Sequence, residues 1–186
     1  MSMKDKRLQQ MKSDLPKRGQ NSHSGGEHTS WQLRLATEED VQTAILQLTD
    51  HMDEQQRDGF RDKLQRYVRK PDRTLILAVR PGQVLGLVCA ISQSEFPPGL
   101  PTDKIDYLQN FACGTQLLVH PSCRRQGIGG SLLIRAEDWA HEEGLAGFWI
   151  ITHHMADWYR THFGYQQIGQ VEVNGVEKTC MAKKFD

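Results

Sequence analysis

The chain has 186 residues, enough for a single domain, and its 23 basic and 23 acidic side chains give a formal net charge of zero. This balance gives no indication of a nucleic-acid or membrane-surface partner, and we expect neither. No stretch of about 18 apolar residues is present, so we expect no membrane-spanning helix. The polar start of the chain has no apolar run, so it does not predict a secretory signal.

Cysteines and histidines show none of the spacings typical of structural bridges or metal sites. The four cysteines are scattered, with no C-x-x-C pair, and the histidines lack H-E-x-x-H spacing. We therefore expect no bound metal and no disulfide framework. Reduced cysteines indicate a cytoplasmic protein.

Residues 1–30 differ in composition from the rest of the chain. They hold six basic and three acidic residues, two adjacent glycines and few apolar residues, which show no periodicity. We predict a disordered N-terminal tail here, with a basic arm that binds RNA or a partner as the alternative. The domain itself is expected to span residues 31–186, where acidic residues slightly outnumber basic ones, which mildly favours a cationic substrate.

The first half of the domain alternates between strand and helix patterns. Trp31, Leu33 and Leu35 alternate with polar residues, as in a half-buried strand, and Thr37 then gives a helix-start signal. A second amphipathic helix with Phe60 at its apolar stripe ends before the proline at position 71. Two strands follow, 75–79 and 84–91, on either side of a Pro-Gly turn.

The second half begins with residues 92–110, whose three prolines and lack of periodicity predict a functional loop. Residues 115–119 form a predicted strand, and a helical apolar stripe then runs to Gly144, which is placed to end that helix. A strand over 147–152, a short helix over 155–162 and a hairpin at Asn174-Gly175 complete the pattern. The resulting order, β-α-α-β-β-β-α-β-α-β-β, predicts an α/β fold with a mixed sheet flanked by helices.

The segment from Leu117 to Ser131 carries the most chemical information. It places a strand, a glycine-containing turn and a helix start in succession, and a helix N-terminus presents unpaired N–H groups that can hold phosphate oxygens. A dinucleotide fingerprint is excluded because Leu132 occupies its last glycine position, and a P-loop is excluded because the lysine is missing.

The motif R/Q-x-x-G-x-G/A does fit, with Arg124, Gly127 and Gly129, and V-x-P precedes it at 119–121. In this motif and in its element order the chain resembles the GNAT superfamily of acetyl-CoA-dependent N-acetyltransferases. The resemblance implies acetyl-CoA as cosubstrate. It also implies that the pyrophosphate lies against the backbone of Arg124, Arg125, Gln126, Gly127, Ile128, Gly129, Gly130 and Ser131.

By the same resemblance, the strand of Leu117, Leu118 and Val119 splays from its neighbour and pairs with the pantetheine arm. The N–H of Leu117 or Leu118 would then face the thioester carbonyl, where a preset donor stabilises the tetrahedral intermediate. The resemblance leaves a homodimer open as the assembly.

A tyrosine after the fifth strand often acts as the acid in this family, within the pattern N-x-x-A-x-x-Φ-Y-x-x-x-G-F, where Φ is apolar. Here Ala156 and Gly164 match that pattern, but Arg160 occupies the Tyr position and Tyr159 the apolar one. We take Tyr159 as the candidate catalytic acid, with a packing aromatic as the alternative.

The base and the acceptor are less defined by the sequence. Candidate bases are His120, His153, His154, Glu95 and Asp106. By resemblance the acceptor side is formed by residues 48–57 and 92–110, whose carboxylates favour a cationic amine. The function predicted is acetyl transfer to a primary amine of a small or amino-acid-like molecule. The alternatives are a protein N-acetyltransferase and an acyl-CoA-binding sensor without turnover.

Overall fold

The computed structural model describes residues 30–186, so the predicted N-terminal tail lies outside the described residues except for its last position. The strands are β1 Gln32–Leu35, β2 Arg73–Arg80, β3 Gln83–Ile91, β4 Phe111–Val119, β5 Gly147–Thr152, β6 Gln166–Val173 and β7 Val176–Lys184. The helices are α1 Glu38–Leu48, α2 Glu54–Arg69, α3 Thr102–Leu108, α4 Ile128–Glu142 and α5 Ala156–Phe163, with one 3₁₀ turn at Pro121–Cys123.

The seven strands form one sheet in the order β1-β2-β3-β4-β5-β7-β6. All neighbours are antiparallel except β4 and β5, which run parallel. This mixed sheet flanked by helices confirms the predicted fold class and the predicted order of strands.

Both faces of the sheet are covered, which explains the continuous apolar runs of β2 and β3. Along β2, Leu75 and Leu77 join the cluster that α1, α2 and α3 cover, whereas Ile76 and Ala78 join the cluster under α4 and α5. A strand buried on both faces shows no alternation of polar and apolar residues. The helices on the two faces thus approach β4 from opposite sides.

The predicted loop over residues 92–110 is wrong in one respect, because it contains α3. Its backbone N–H groups at Lys104 and Ile105 both donate to the carbonyl of Pro101 at 3.0 Å, so the proline stands immediately before the helix rather than interrupting it. Leu108 is fully buried in the apolar cluster that α1, α2 and α3 cover, and Ile105 packs against that cluster. Tertiary burial of these side chains stabilises a helix too short to show a periodic pattern.

One other boundary differs in a way that matters for the site, and one predicted turn agrees with the structure. The strand predicted over 115–119 begins four residues earlier, at Phe111, where three buried residues pair with β5. The hairpin at Asn174-Gly175 is confirmed, with φ of 54° and 73° as a type I′ turn requires.

A buried polar group on α4 fixes this helix to the far end of the sheet. Glu137 is 7% exposed and accepts hydrogen bonds from the Tyr165 hydroxyl at 2.9 Å and the Lys183 ammonium at 2.7 Å. Because a buried carboxylate is costly unless it is paired, these bonds hold the orientation of α4. No helix within residues 30–186 is long and apolar enough to cross a membrane.

Candidate functional site

β4 changes its pairing halfway along its length. Residues 111–114 pair with Gly147–Ile150 of β5, but no rung follows Gly114, although β4 continues to Val119 and β5 to Thr152. On its other side β4 remains paired with β3 as far as Val119. The two parallel strands therefore separate beyond Gly114 and leave a wedge between them.

A β-bulge marks the point of separation. Ala90 of β3 pairs with Gly114, and the preceding Cys89 pairs with Gln116, so Thr115 is the extra residue on β4. Bulges bend a strand and re-aim its side chains. Two α2 side chains hold the bulge: the Tyr67 hydroxyl lies 2.7 Å from Thr115 Oγ1, and Lys63 Nζ donates to the Thr115 carbonyl at 3.3 Å.

The direction of the free backbone groups in the wedge follows from the strand alternation. The N–H of His120 donates to the carbonyl of Leu85 on β3 at 2.8 Å, and backbone groups of successive residues point to opposite sides of a strand. Leu118 therefore faces β3, where it pairs with Leu87, whereas Leu117 and Val119 direct their N–H groups into the wedge. Of the two leucines predicted to face the thioester, Leu117 is the one whose N–H is available.

The turn between β4 and α4 uses two left-handed residues. Arg125 has a φ of 62° and Gly127 a φ of 79°, and α4 begins at the next residue, Ile128. The first helical bond runs from the Ser131 N–H to the Gly127 carbonyl at 3.0 Å. Within residues 30–186, the N–H groups of residues 128–130 consequently have no acceptor, and they point out of the helix start.

Two arginines, Arg124 and Arg125, lie at the beginning of this turn. Both are exposed, and neither forms an ion pair with a carboxylate of the described residues. Arg124 Nε donates to the Val119 carbonyl at 3.3 Å, which ties the turn to the unpaired end of β4. Gln126 Nε2 donates to the Ser122 carbonyl at 3.4 Å. The arrangement combines unpaired N–H donors with two free positive charges, as an anion site does.

Two glycines in the first turn of α4 show which sides of the helix start are open and which are packed. A Cβ at Gly129 would meet nothing closer than Val119 Cγ2 at 3.6 Å, so this position faces open space next to β4. A Cβ at Gly130 would lie 3.1 Å from Phe163 Cζ, because α5 packs closely there. The helix start therefore lies between β4 and α5, beside the wedge.

Tyr159, the candidate acid, lies on α5 and is 8% exposed. Its ring makes edge contacts with Trp158 and Tyr165 at centroid distances of 4.9 and 5.4 Å. Within residues 30–186 its hydroxyl has no hydrogen-bond partner, yet it is not among the fully buried unpaired atoms, so solvent reaches it. Burial raises the pKa of Tyr159 to about 12, which keeps the phenol protonated at neutral pH. Arg160, one residue on, is exposed and paired with Asp157 at 2.8 Å.

The candidate bases are spread over the surface. His120 caps the 3₁₀ turn, with Nδ1 2.7 Å from Ser122 Oγ, and leaves its Nε2 free of partners among the described residues. His153 and His154 follow β5 with ring centroids 3.6 Å apart, and both are exposed. Glu95 is exposed, and Asp106 on α3 accepts from Gln109 at 3.2 Å.

A cleft of about 460 Å³ opens on the opposite side of β4, at the start of α2. Its lining is formed by His51, Met52, Gln56, Gly59, Phe60 and Lys63. Three of these residues lie in the predicted acceptor region, residues 48–57, and the other three lie further along α2. Lys63 and Tyr67 could not be identified from the sequence, because their contacts with β4 join residues about fifty positions apart.

The carboxylates that predict a cationic acceptor do not line this cleft. Asp53 caps α2 by accepting from the Gln56 N–H at 2.8 Å, and Asp50 faces His51 at 3.4 Å. Asp103 lies 3.2 Å from Lys104. The prediction of a cationic acceptor therefore rests on no residue of the cleft.

Metal chemistry finds no support in the arrangement of the titratable residues. Among residues 30–186, no three His, Cys, Asp or Glu side chains lie where they could share a metal ion. The four cysteines are buried free thiols, and burial raises the pKa of Cys89, Cys113 and Cys180 to about 12.

Known structures share this architecture. The aminoglycoside 6'-N-acetyltransferase from Enterococcus faecium matches with a TM-score of 0.62 and 17% identity, over 82% of this chain and 96% of that one. The PaiA N-acetyltransferase from Thermoplasma acidophilum, solved with coenzyme A, matches with a TM-score of 0.58 and 16% identity, over 84% and 99%. A GNAT-family acetyltransferase from Streptococcus pneumoniae gives 0.61 and 15% identity, over 84% and 100%.

At these identities the structural matches show the fold alone, and none of the curated proteins matches the chain significantly in sequence. A sequence model of the Acetyltransferase (GNAT) family does match, over residues 39–165. This span runs from α1 through the wedge and the glycine turn to the end of α5. The chain therefore belongs to the GNAT family of acetyltransferases.

Proposed function

We propose that this protein transfers the acetyl group of acetyl-CoA directly to a primary amine of a small molecule. The observation that carries the proposal is the wedge between β4 and β5, which opens directly beside the glycine turn at the start of α4. An extended arm with a phosphate end fits this pair of features. Backbone donors in the wedge would take the arm, and the helix start would take the phosphates.

The chain's own groups supply binding and charge stabilisation. The N–H groups of residues 128–130, with Arg124 and Arg125, would bind the pyrophosphate. Acetyl-CoA supplies an activated thioester carbonyl. The Leu117 N–H would donate to that carbonyl oxygen as negative charge develops on it, and one such donor is typically worth about 3 kcal/mol.

Proton transfer completes the reaction, because the amine loses a proton and the departing thiolate gains one. We assign the second role to Tyr159, whose hydroxyl is protonated at neutral pH and reached by solvent. For the first role, the free Nε2 of His120 and the stacked pair His153–His154 are the candidates nearest the wedge along the chain. Imidazole side chains are the most frequent general bases in enzymes.

The structural relatives support an amine as acceptor. The E. faecium and T. acidophilum proteins are both named as N-acetyltransferases. The cleft of about 460 Å³ on the acceptor side of β4 has the size of a small-molecule site. The alternatives are acetylation of a protein amine and a sensor that binds acyl-CoA without turnover.

A thiol-release assay over a panel of amines, with mass spectrometry of the products, tests the proposal. We expect amine-dependent release of CoA and a product heavier by one acetyl group. The panel should include a peptide with a free lysine and one with a free α-amine. Tight acetyl-CoA binding without release for any amine would favour the sensor, and release with the peptides alone would favour a protein acetyltransferase.

A further inference from the structure

The cleft at the start of α2 carries a positive charge that no acidic side chain balances. Lys63 lies in its lining, half-buried, and forms no ion pair with a carboxylate of residues 30–186. None of the six lining residues is acidic, although Asp50, outside the lining, lies 3.4 Å from His51 Nδ1. The Lys63 ammonium would repel a cationic amine that carries no anionic group.

The hydrogen bonds of Lys63 leave it one donor to spare. Its ammonium donates to the Thr115 carbonyl and to Gln116 Oε1, each at 3.3 Å, and an ammonium has three donors. Both partners are neutral. The third N–H and the whole positive charge therefore remain available to an anion that enters the cleft.

The position of Lys63 relates the cleft to the reacting atoms. Thr115, which it contacts, precedes Leu117 by two residues, or about 7 Å at about 3.3 Å per residue. A molecule held at Lys63 by an anionic group and presenting its amine near the Leu117 N–H must therefore be short. The amine and a carboxylate oxygen of an α-amino acid lie about 3 Å apart, and a hydrogen bond of about 3 Å from Lys63 to that carboxylate brings the total span close to this distance.

The remainder of the lining favours an apolar body on the same molecule. Met52 and Phe60 are both in the lining, and Gly59 leaves open space beside them, since a Cβ there would meet nothing within 4 Å. From these observations we infer that the acceptor is a small amine that carries a carboxylate and an apolar side chain, with Lys63 binding the carboxylate. This inference rests on the proposed function and narrows its substrate class.

Matched substrate pairs test the inference. L-leucine, L-methionine and L-phenylalanine should each be compared with the corresponding carboxamide, which keeps the amine and the side chain but lacks the charge. With the wild-type protein we expect kcat/KM to favour the acids about ten-fold or more, as loss of a charged hydrogen bond predicts. Lys63→Met should lower this ratio about ten-fold, and Lys63→Arg should largely keep it.

Two controls separate binding from damage to the bulge. Lys70→Met removes an exposed lysine at the end of α2, away from the cleft, and should leave the ratio unchanged. Turnover of the carboxamides by Lys63→Met reports any damage to the bulge, because the ratio and not the overall rate reports on the charge. An equal fall for acids and carboxamides would assign Lys63 a structural role and overturn the inference.

A binding measurement distinguishes this inference from the proposed function. Calorimetry of each amino acid and its carboxamide, in the presence of CoA, needs no turnover. Amino-acid binding that depends on Lys63, without thiol release from acetyl-CoA, would support the inference and overturn the acetyltransferase proposal. Acids that bind no better than carboxamides would overturn the inference whether or not amines are acetylated.

Discussion

The two sides of β4 offer a ligand different kinds of groups. On the α4 side these are mostly backbone donors, from residues 128–130 and from Leu117 and Val119 in the wedge. On the α2 side they are side chains, with Lys63 and Phe60 around a cleft. Backbone donors suit a ligand common to a whole family, because they tolerate changes of side chain. A side-chain cleft can change its acceptor by substitution without disturbing the other half.

A negative charge introduced at the start of α4 should have the largest effect, on the affinity for acetyl-CoA. Gly129→Asp puts a carboxylate next to the N–H groups that we assign to the pyrophosphate, where a Cβ has room. We expect acetyl-CoA affinity to fall about 100-fold or more, because a like charge occupies the anion site. Calorimetric titration with acetyl-CoA measures this directly.

The matched variant Gly129→Asn has almost the same size without the charge, and should lose much less affinity. Thermal stability should not fall in Gly129→Asp relative to Gly129→Asn, since an acidic residue in the first turn of a helix is favourable. Equal losses of affinity in the two variants would show that space and not charge decides binding. Wild-type affinity in both would remove the turn from the cofactor site.

Tyr159 is an exception to the contrast between a backbone-built and a side-chain-built site, because we assign its side chain to the side of β4 that is otherwise built from backbone donors. A phenol with a pKa of about 12 is a weak acid toward a thiolate, so we expect the low end of the range for general acids. Tyr159→Phe should lower kcat about 100-fold with acetyl-CoA affinity nearly unchanged. Steady-state kinetics with saturating acetyl-CoA gives the number.

Tyr165→Phe is the control for loss of a hydroxyl from a buried tyrosine nearby. The Tyr165 hydroxyl donates to Glu137, so its removal should lower the free energy of unfolding by about 1–3 kcal/mol and leave kcat unchanged. Tyr159→Phe should show the opposite pattern, because its hydroxyl has no partner among residues 30–186. An unchanged kcat in Tyr159→Phe would leave packing as its role.

The same contrast explains which parts of the molecule could be predicted from the sequence. The hairpin at Asn174-Gly175 and the turn around Gly127 depend on backbone handedness, which short glycine-containing motifs specify locally. The helix α3 could not be predicted, since burial of Ile105 and Leu108 stabilises it and three prolines mask it. Local sequence does not record such tertiary burial.

The role that we propose for Lys63 in the cleft at the start of α2 could not be predicted, for a related reason. Lys63 reads as one of several charged residues on an amphipathic helix, and only the contact with Thr115 distinguishes it. Gly114 directly precedes the bulge at Thr115, and a glycine within a strand can signal a bulge, but nothing local indicates that Lys63 contacts it. Side-chain sites assembled from distant elements require the fold, whereas backbone sites within one strand–turn–helix unit do not.

A smaller effect, on stability alone, is expected from the ion pair that joins β1 and α1. Asp40 on α1 accepts two hydrogen bonds from Arg34 on β1, both at 2.6 Å, and one from the Thr37 N–H at 2.7 Å. The Arg34 bonds lower the pKa of Asp40 to about 2. A lowered pKa stabilises the fold above the ordinary value of 3.8, and that stabilisation is lost as the pH falls toward 2.

Asp40→Asn should therefore lower the free energy of unfolding at pH 7 by about 1 kcal/mol, allowing for partial solvent screening, and by progressively less toward pH 2. Urea unfolding at several pH values measures the difference. Glu38→Gln is the control, because the Glu38–Arg69 pair is exposed and should contribute less. A penalty for Asp40→Asn that stays constant down to pH 2 would contradict the charge-based account.

The smallest effect on stability and activity is expected from deletion of residues 1–30, to which we assign no part of the cofactor or amine site. This segment has few apolar residues, which show no periodicity, so its removal should shift the melting temperature by less than about 2 °C. Affinity for acetyl-CoA and turnover of the best amine should both stay within about two-fold, since the groups that we assign to these steps lie in residues 52–159. A drop of several degrees would show that the segment docks on the domain. Unchanged stability with lost RNA binding would instead support the basic arm, because its six basic residues would then act through charge and not through packing.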